Sequence, residues 1–477
     1  MELPYRGSGK TIFNEKEYRC DLYYNEKEGG ILLKINVKHE QGLGNFLEVP
    51  LEIPYLCGEL ETGFKFTLLN LTRTGMQDLI SYGISEYTFL AEYILCGIGG
   101  LIQQEQTFYK VSYVLSNIVE WGEETIYAIG EKNELFSKNE NTQKTIYEGQ
   151  DFSITYSVFG SFLPVAPYEL LKEHISLEQH GIFEIEFKEE EKFNQFSQVF
   201  KKLKRLIEIA VLSKVNVAKV EGYSKDVVYD WGKVKHERAI DVYGKNIEEN
   251  NSMEHAERRH SWKWISLSEL IKQNSFQCYF EKHEKLAPII ELFLEPLYVE
   301  GNSPTRTFLN IVQALETYHS RFVTNSLEEF KTRIENMVNE QSPEDAEKHR
   351  KYLMANSKTF ITLESRLADL LVANWQIFFD TGEINHADFP SVIAHTRNYY
   401  IHYDERIKEK YRILSEGELP IYNRSLLQIL EYYILLELGF SNDHCELQKK
   451  LGERWGNVSQ DLSILNASKS QHNFLKK

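Results

Sequence analysis

The chain has 477 residues and a mass of 55.9 kDa, enough for two to four ordinary domains with a well-buried core. Apolar residues make up 42% and charged residues 26%, which excludes wholesale disorder, and a formal net charge of −17 argues against a protein that coats nucleic acid through its overall field. Cys20, Cys57, Cys96, Cys278 and Cys445 contain no Cys-x-x-Cys pair, and no apolar stretch approaches a membrane span, so a cytoplasmic protein with reduced thiols, without signal peptide or membrane partner, is expected.

At the N-terminus, Gly7-Ser8-Gly9-Lys10-Thr11 has the look of a phosphate loop. The pattern requires a glycine where Pro4 stands, and a buried strand before it, so the expectation is a flexible leader. The next stretch, to about residue 190, reads as strands. Leu33, Ile35 and Val37 alternate with Lys34 and Asn36; Phe152, Ile154, Tyr156 and Val158 alternate with small polar residues; Phe183, Ile185 and Phe187 alternate with Glu184 and Glu186. Alternation is what a half-buried strand requires, because successive side chains face opposite sides. Further apolar runs lie at Ile53–Cys57, Phe64–Leu69 and Phe108–Leu115, with breaks such as Glu28-Gly29-Gly30 and a turn at Gly97-Ile98-Gly99-Gly100. Many short strands joined by turns predict an antiparallel sandwich or barrel.

A helix is predicted over about 194–213, where Phe196, Val199, Phe200, Leu203, Leu206, Ile207 and Ala210 recur at three- and four-residue spacing. Its other face carries Lys201, Lys202, Lys204 and Arg205, read as a solvated face. The stretch from Glu221 to His260 has no clear period. From about residue 285 the pattern is helical. Ser303-Pro304, Ser326 with Glu329, Ser342-Pro343 and Asp388-Phe389-Pro390 supply helix starts. Phe308, Ile311, Val312, Leu315 and Phe322 form one stripe; Phe330, Ile334 and Met337 form a second; Leu363, Leu367, Leu370 and Leu371 form a third. A last helix runs from Leu426 to Leu438 and ends at Gly439. The expected fold class is therefore α+β and multidomain. A β-rich domain over 1–285 is followed by an all-α bundle over 290–477, with the boundary near 280–300.

Metal ligation finds no support in the spacing: there is no His-Glu-x-x-His and no Cys/His cluster. His395 and His402 are seven residues apart, about 10 Å along a helix, too far to share one ion unaided. No cofactor is called for. The informative segment is His395-Thr396-Arg397-Asn398-Tyr399-Tyr400-Ile401-His402-Tyr403. On a helix Asn398 lies about 40° from His402, and Arg397 about 140° away. An imidazole, a permanent cation and an amide can move a proton and stabilise a phosphorane, and three tyrosines could stack bases. On the residues alone, a polar helix with a capping histidine and a surface arginine is the plainer reading.

The segment Arg397-Asn398-Tyr399-Tyr400-Ile401-His402 resembles the Arg-x4–6-His signature of HEPN ribonucleases. Ala314-Leu315-Glu316-Thr317-Tyr318-His319-Ser320-Arg321-Phe322 resembles the first long helix of the ApeA-like HEPN subfamily. Val111-Ser112-Tyr113 running to Trp121, and the segment from Phe200 to Val220, resemble the N-terminal domain of the same proteins. The resemblance implies a metal-independent endoribonuclease of anti-phage abortive infection that cuts host or phage RNA, tRNA being one structured candidate. It implies a homodimer or higher homo-oligomer, and a β-rich half that senses a phage-derived trigger or restrains the enzyme. His402 would be the general acid or base, Arg397 would neutralise the phosphorane, and Asn398 would orient the histidine or the phosphate. His395 would stand behind them, Tyr399, Tyr400 and Tyr403 would face the cleft or the dimer partner, and Glu316 and His319 would belong to the cleft or to an inter-helix contact. The alternative is a non-catalytic HEPN module for dimerisation and ligand binding.

Overall fold

A computed structural model describes residues 6–25, 30–38, 49–79, 84–116, 118–138, 143–160, 173, 177–231, 234–244, 247, 263–299, 301–323, 332, 335–336, 338–339, 342–355, 361–371, 381–441 and 444–456. The chain divides into two compact units. One comprises Met1–Lys204 with Val215–Arg259, the other Arg205–Lys214 with His260–Lys477.

The first unit is built on β1 (Gly7–Phe13), β2 (Lys16–Asn25), β3 (Gly30–Lys38), β4 (Glu52–Leu60), β5 (Lys65–Leu79) and β6 (Ile84–Cys96). Each pairs antiparallel with the next in the order β6-β3-β2-β1-β4-β5, and β5 pairs back onto β6, so the six close into a barrel. Closure leaves no open edge among them. The interior is apolar: Leu22, Leu33, Ile35, Phe66, Leu68 and Phe89 are all 2% exposed or less. Leu33, Ile35 and Val37 point inward and Lys34 and Asn36 outward, as their alternation requires.

Here the glycine-rich start behaves differently from the expected leader. Residues 7–13 are a barrel strand, paired on both sides with β2 and β4. A side chain at Gly9 would run into the Glu59 carbonyl of β4, so the glycine serves close strand approach, not phosphate. Gly97, Gly99 and Gly100, by contrast, form the expected turn, all with positive φ.

The sheet continues outward from β6. Its further elements are β7 (Thr107–Leu115), α1 (Ile118–Gly122), a hairpin of β8 (Tyr127–Ile129) and β9 (Leu135–Ser137), β10 (Lys144–Glu148), β11 (Phe152–Gly160), β12 (Gln179–Lys192), α2 (Phe193–Val211), β13 (Val217–Tyr223), a hairpin of β14 (Val228–Trp231) and β15 (Val234–Glu237), and β16 (Ile240–Gly244). From β6 the order runs β16, β13, β7, β12, β11, β10. The stretch after Glu221 that lacks a period thus contributes β16 to the main sheet. The aromatic stripe of α2 lies on this extension. Phe200 stacks flat on Tyr113 at 3.8 Å, and Phe196 meets Phe187 edge-on at 4.7 Å. Each buried Phe stabilises by about 1.5–3 kcal/mol, which accounts for the aromatic-rich composition of this half. The basic face of α2 is in part paired: Lys201 faces Glu92, and Arg205 forms a two-bonded pair with Glu291.

The second unit contains α3 (Leu267–Lys272), α4 (Ser275–Tyr298), α5 (Pro304–Phe322), α6 (Pro343–Ala355), α7 (Leu363–Leu370), α8 (Phe389–His402), α9 (Glu405–Lys410), α10 (Leu419–Glu437) and α11 (His444–Trp455). Helices α4, α5 and α10 pack on one another, α8 packs on α7 and α5, and α11 packs on α10. Of the predicted start signals Ser303 is seen to cap its helix, and Thr362, which is not among them, caps another. Ser303 caps α5 through the Arg306 N–H, and Thr362 caps α7 through the Ser365 N–H. Asp388 precedes α8 without a side-chain cap bond. The readings at Glu28-Gly29, Ser326, Glu329, Phe330, Ile334 and Met337 lie outside the described residues.

Two expectations are corrected. The boundary foreseen near 280–300 falls inside α4, because helical structure already begins at Leu267 and the division by contacts falls after Arg259. The final stripe begins at Leu419, seven residues before the predicted Leu426. Helix α10 is buried nearly all round, polar residues included, so a one-sided stripe underestimates it. Its Glu431 is fully buried and pairs with the equally buried Arg454 of α11 at 2.7 Å.

Candidate active site

Helix α8 starts on Phe389-Pro390, where the missing proline N–H is no loss. It buries Phe389, Val392, Ile393, Thr396 and Tyr400, which fixes its rotation. Two polar clamps sharpen that rotation. The Leu414 N–H donates to Thr396 Oγ1 at 3.1 Å, and the Tyr400 hydroxyl donates to the Leu414 carbonyl at 3.0 Å. With that face committed, His395, Asn398 and His402 are carried on the other side of the helix. His402 is exposed in the last turn of the helix.

Arg397 Nη1 donates to Asn398 Oδ1 at 3.2 Å, and no hydrogen bond joins it to His402 among the described residues. Asn398 therefore orients the guanidinium. The His395 Nδ1 lies 2.8 Å from the Ser391 carbonyl, which can only accept, so Nδ1 carries a proton. The ring stacks on Tyr411 at 3.6 Å.

The three tyrosines separate. Tyr400 is 7% exposed, inside its own bundle, and so is removed from both the cleft and any interface; burial pushes its hydroxyl pKa up. Tyr399 is half-buried, its hydroxyl donating to Glu405 at 3.2 Å and its ring under Lys408 at 5.5 Å. Tyr403 is 64% exposed.

Glu316 and His319 sit on α5, facing α7. His319 Nδ1 is 3.3 Å from Arg366 Nη1 and its Nε2 2.8 Å from Asp369 Oδ2. Arginine can only donate, so Nε2 carries the proton toward Asp369. Glu316 lies 3.9 Å from Arg366 Nε. His319 is 1% exposed. The geometry is that of a polar contact between helices, the second of the two readings left open for this pair.

Residues beyond the motif complete the surroundings. Asp404 caps α9 by accepting from the Arg406 N–H, and the Arg406 guanidinium grips the same carboxylate at 2.8 and 2.9 Å. Those bonds, with a smaller contribution from His402, hold the Asp404 carboxyl below its usual range. The signal was present in the sequence: an aspartate one residue before an acidic-then-basic hexamer is a helix start. Among the described residues no group of His, Cys, Asp and Glu is gathered to hold a metal ion, and no helix is long and apolar enough to cross a membrane.

Comparison with known proteins adds two matches. The family described as Apea-like HEPN matches residues 309–444, from within α5 through α10. The family described as ApeA N-terminal domain 1 matches residues 7–272, from the first barrel strand through α3. No curated protein and no solved structure matches the chain.

Proposed function

This chain belongs to the ApeA family, an ApeA N-terminal domain 1 followed by an Apea-like HEPN domain, and on that premise we propose that it is a metal-independent endoribonuclease of anti-phage abortive infection. The observation that carries the reading is the exposed His402 at the end of α8, on the same helix as an arginine held by its neighbouring amide. HEPN domains are associated with nucleases; the substrate, the products and the assembly are the proposal.

In the proposed reaction a base takes the 2′-hydroxyl proton, the 2′-oxygen attacks phosphorus, and an acid gives a proton to the departing 5′-oxygen. The products are a 2′,3′-cyclic phosphate and a 5′-hydroxyl. His402 is one of the two proton carriers, and His402 of a second copy across a two-fold axis is the other. The Arg397 guanidinium faces the phosphorane oxygens, and Asn398 fixes its direction. The acidic chain disfavours bulk RNA and suits a structured substrate such as tRNA. The β-rich unit restrains the enzyme until it meets a phage-derived trigger, in the cytoplasm.

The test is cleavage of RNA by the full chain in EDTA, with His402→Ala beside it. Loss of about 10²–10⁴-fold with an unchanged melting profile is expected. Activity that requires Mg²⁺, or that survives His402→Ala, would overturn the proposed mechanism, and no cleavage by the full chain would favour the non-catalytic module.

A further inference from the structure

We propose that Tyr403 is the base-stacking platform of this site, so that the enzyme takes RNA whose nucleotide beside the cut is unpaired. The inference rests on the reading of Arg397 and His402 just given, and on two independent observations at Tyr403.

The first is its backbone. Tyr403 ends α8 with φ 49° and ψ 37°, in the left-handed region. Glycine or asparagine normally stands at such a helix end, because a larger side chain crowds the following carbonyl. The turn cannot relax, since Asp404 is already committed as the cap of α9. The second is that the ring does not offset this strain by packing. It is 64% exposed, and its ring contacts among the described residues are edge contacts with Tyr399 at 5.8 Å and Tyr400 at 6.2 Å. A strained, exposed aromatic immediately after His402 contributes little to folding. Strain kept at such a position points to function.

The surroundings favour a nucleic-acid base over a second protein chain. The charged or titratable His402, Asp404 and Arg406 lie within three residues of Tyr403 in the chain, whereas the cores of protein interfaces are depleted of charge. Every base offers a π-face, so the contact tolerates sequence. It demands an unpaired base, because one inside a duplex has both faces covered. Loops and single strands are therefore the substrate class.

The experiment uses the full chain, a short single-stranded RNA, and the same sequence annealed in a duplex. Tyr403→Gly should relieve the backbone and leave the melting temperature equal or higher. Its kcat/KM on the single strand should fall by about 5- to 150-fold, mostly through KM, the range expected for losing one stacked base. Tyr403→Trp should recover most of that loss. Wild-type protein should prefer the single strand over the duplex, and Tyr403→Gly should narrow that preference. If Tyr403→Gly cleaves like wild type while His402→Ala is inactive, the stacking role is wrong and the catalytic reading stands. If both cleave normally, both fail. If Tyr403→Gly turns a dimer into a monomer by light scattering, the ring is a protein contact and stacking is refuted.

Discussion

The Tyr400 hydroxyl donates to the Leu414 carbonyl at 3.0 Å, from a ring only 7% exposed. With the Thr396–Leu414 bond, it locks the rotation of the helix that presents His402. Tyr400→Phe should lose that bond alone and cost about 1 kcal/mol of stability. Tyr400→Glu should place an unpaired charge inside the bundle and abolish cooperative melting. Circular dichroism with light scattering distinguishes this from an interface effect: a well-folded monomer of Tyr400→Glu would mean that the residue faces a partner after all.

Arg397→Lys should behave almost as a loss of function. Asn398 holds a planar guanidinium by one nitrogen, leaving the other donors for phosphate oxygens. Lysine keeps the charge but loses that fork. Single-turnover cleavage within about twofold of wild type would reduce Arg397 to a point charge.

Much of this was legible in the sequence, and the misses have physical reasons. Alternation identified β3, β11 and β12 because each has one buried face. Barrel closure was not legible, since the pairing of β5 with β6 and of β1 with β4 is non-local. The first part of α4 escaped because the polar run Glu281–Lys285 separates its buried Phe276 and Tyr279 from Leu286 and breaks the apolar period. The motif residues were found, but not that Tyr400 turns inward while Tyr403 turns out, which depends on Leu414 and a left-handed turn.

That miss has a consequence for dissection of the chain. A fragment starting at residue 290 removes Phe276, Tyr279, Leu286 and Ile289, all buried in the first part of α4. It should fail to melt cooperatively, whereas the full chain should melt sharply. Cooperative unfolding of that fragment would show that the α4 packing is dispensable.

The buried thiols predict an alkaline limit. Burial pushes Cys20 and Cys96 up to about 12, from an ordinary value of 9.0. A group whose folded value is raised contributes stability fully below its unfolded value, and that contribution is lost as the pH rises toward the folded one. Stability should therefore decline between about pH 9 and 12. At pH 8 iodoacetamide should leave both residues unlabelled in native protein, and mass spectrometry of the peptides reads this directly. Rapid labelling of Cys20 or Cys96 without unfolding would contradict their burial.

The Arg454–Glu431 pair should be the most sensitive point of the helical unit. Both side chains are fully buried, the pair is 2.7 Å apart, and the Trp455 indole also donates to Glu431. Arg454 in addition donates to the carbonyls of Ile209 and Ala210 in the last turn of α2, where helical partners run out, and to the carbonyl of Lys263. Removing one partner strands the other as an uncompensated buried charge, a loss of about 3–5 kcal/mol. Glu431→Gln should sit at the low end, since the amide oxygen can still accept from Trp455 and the three carbonyls still hold the cation. Arg454→Met should be worse, because it strands both Glu431 and the carbonyls. The double change Arg454→Met with Glu431→Leu should be less destabilising than Arg454→Met alone, because no buried charge remains. Urea denaturation midpoints test the order. Equal midpoints for Arg454→Met and the double variant would show that the lost carbonyl bonds, not the stranded carboxylate, set the cost.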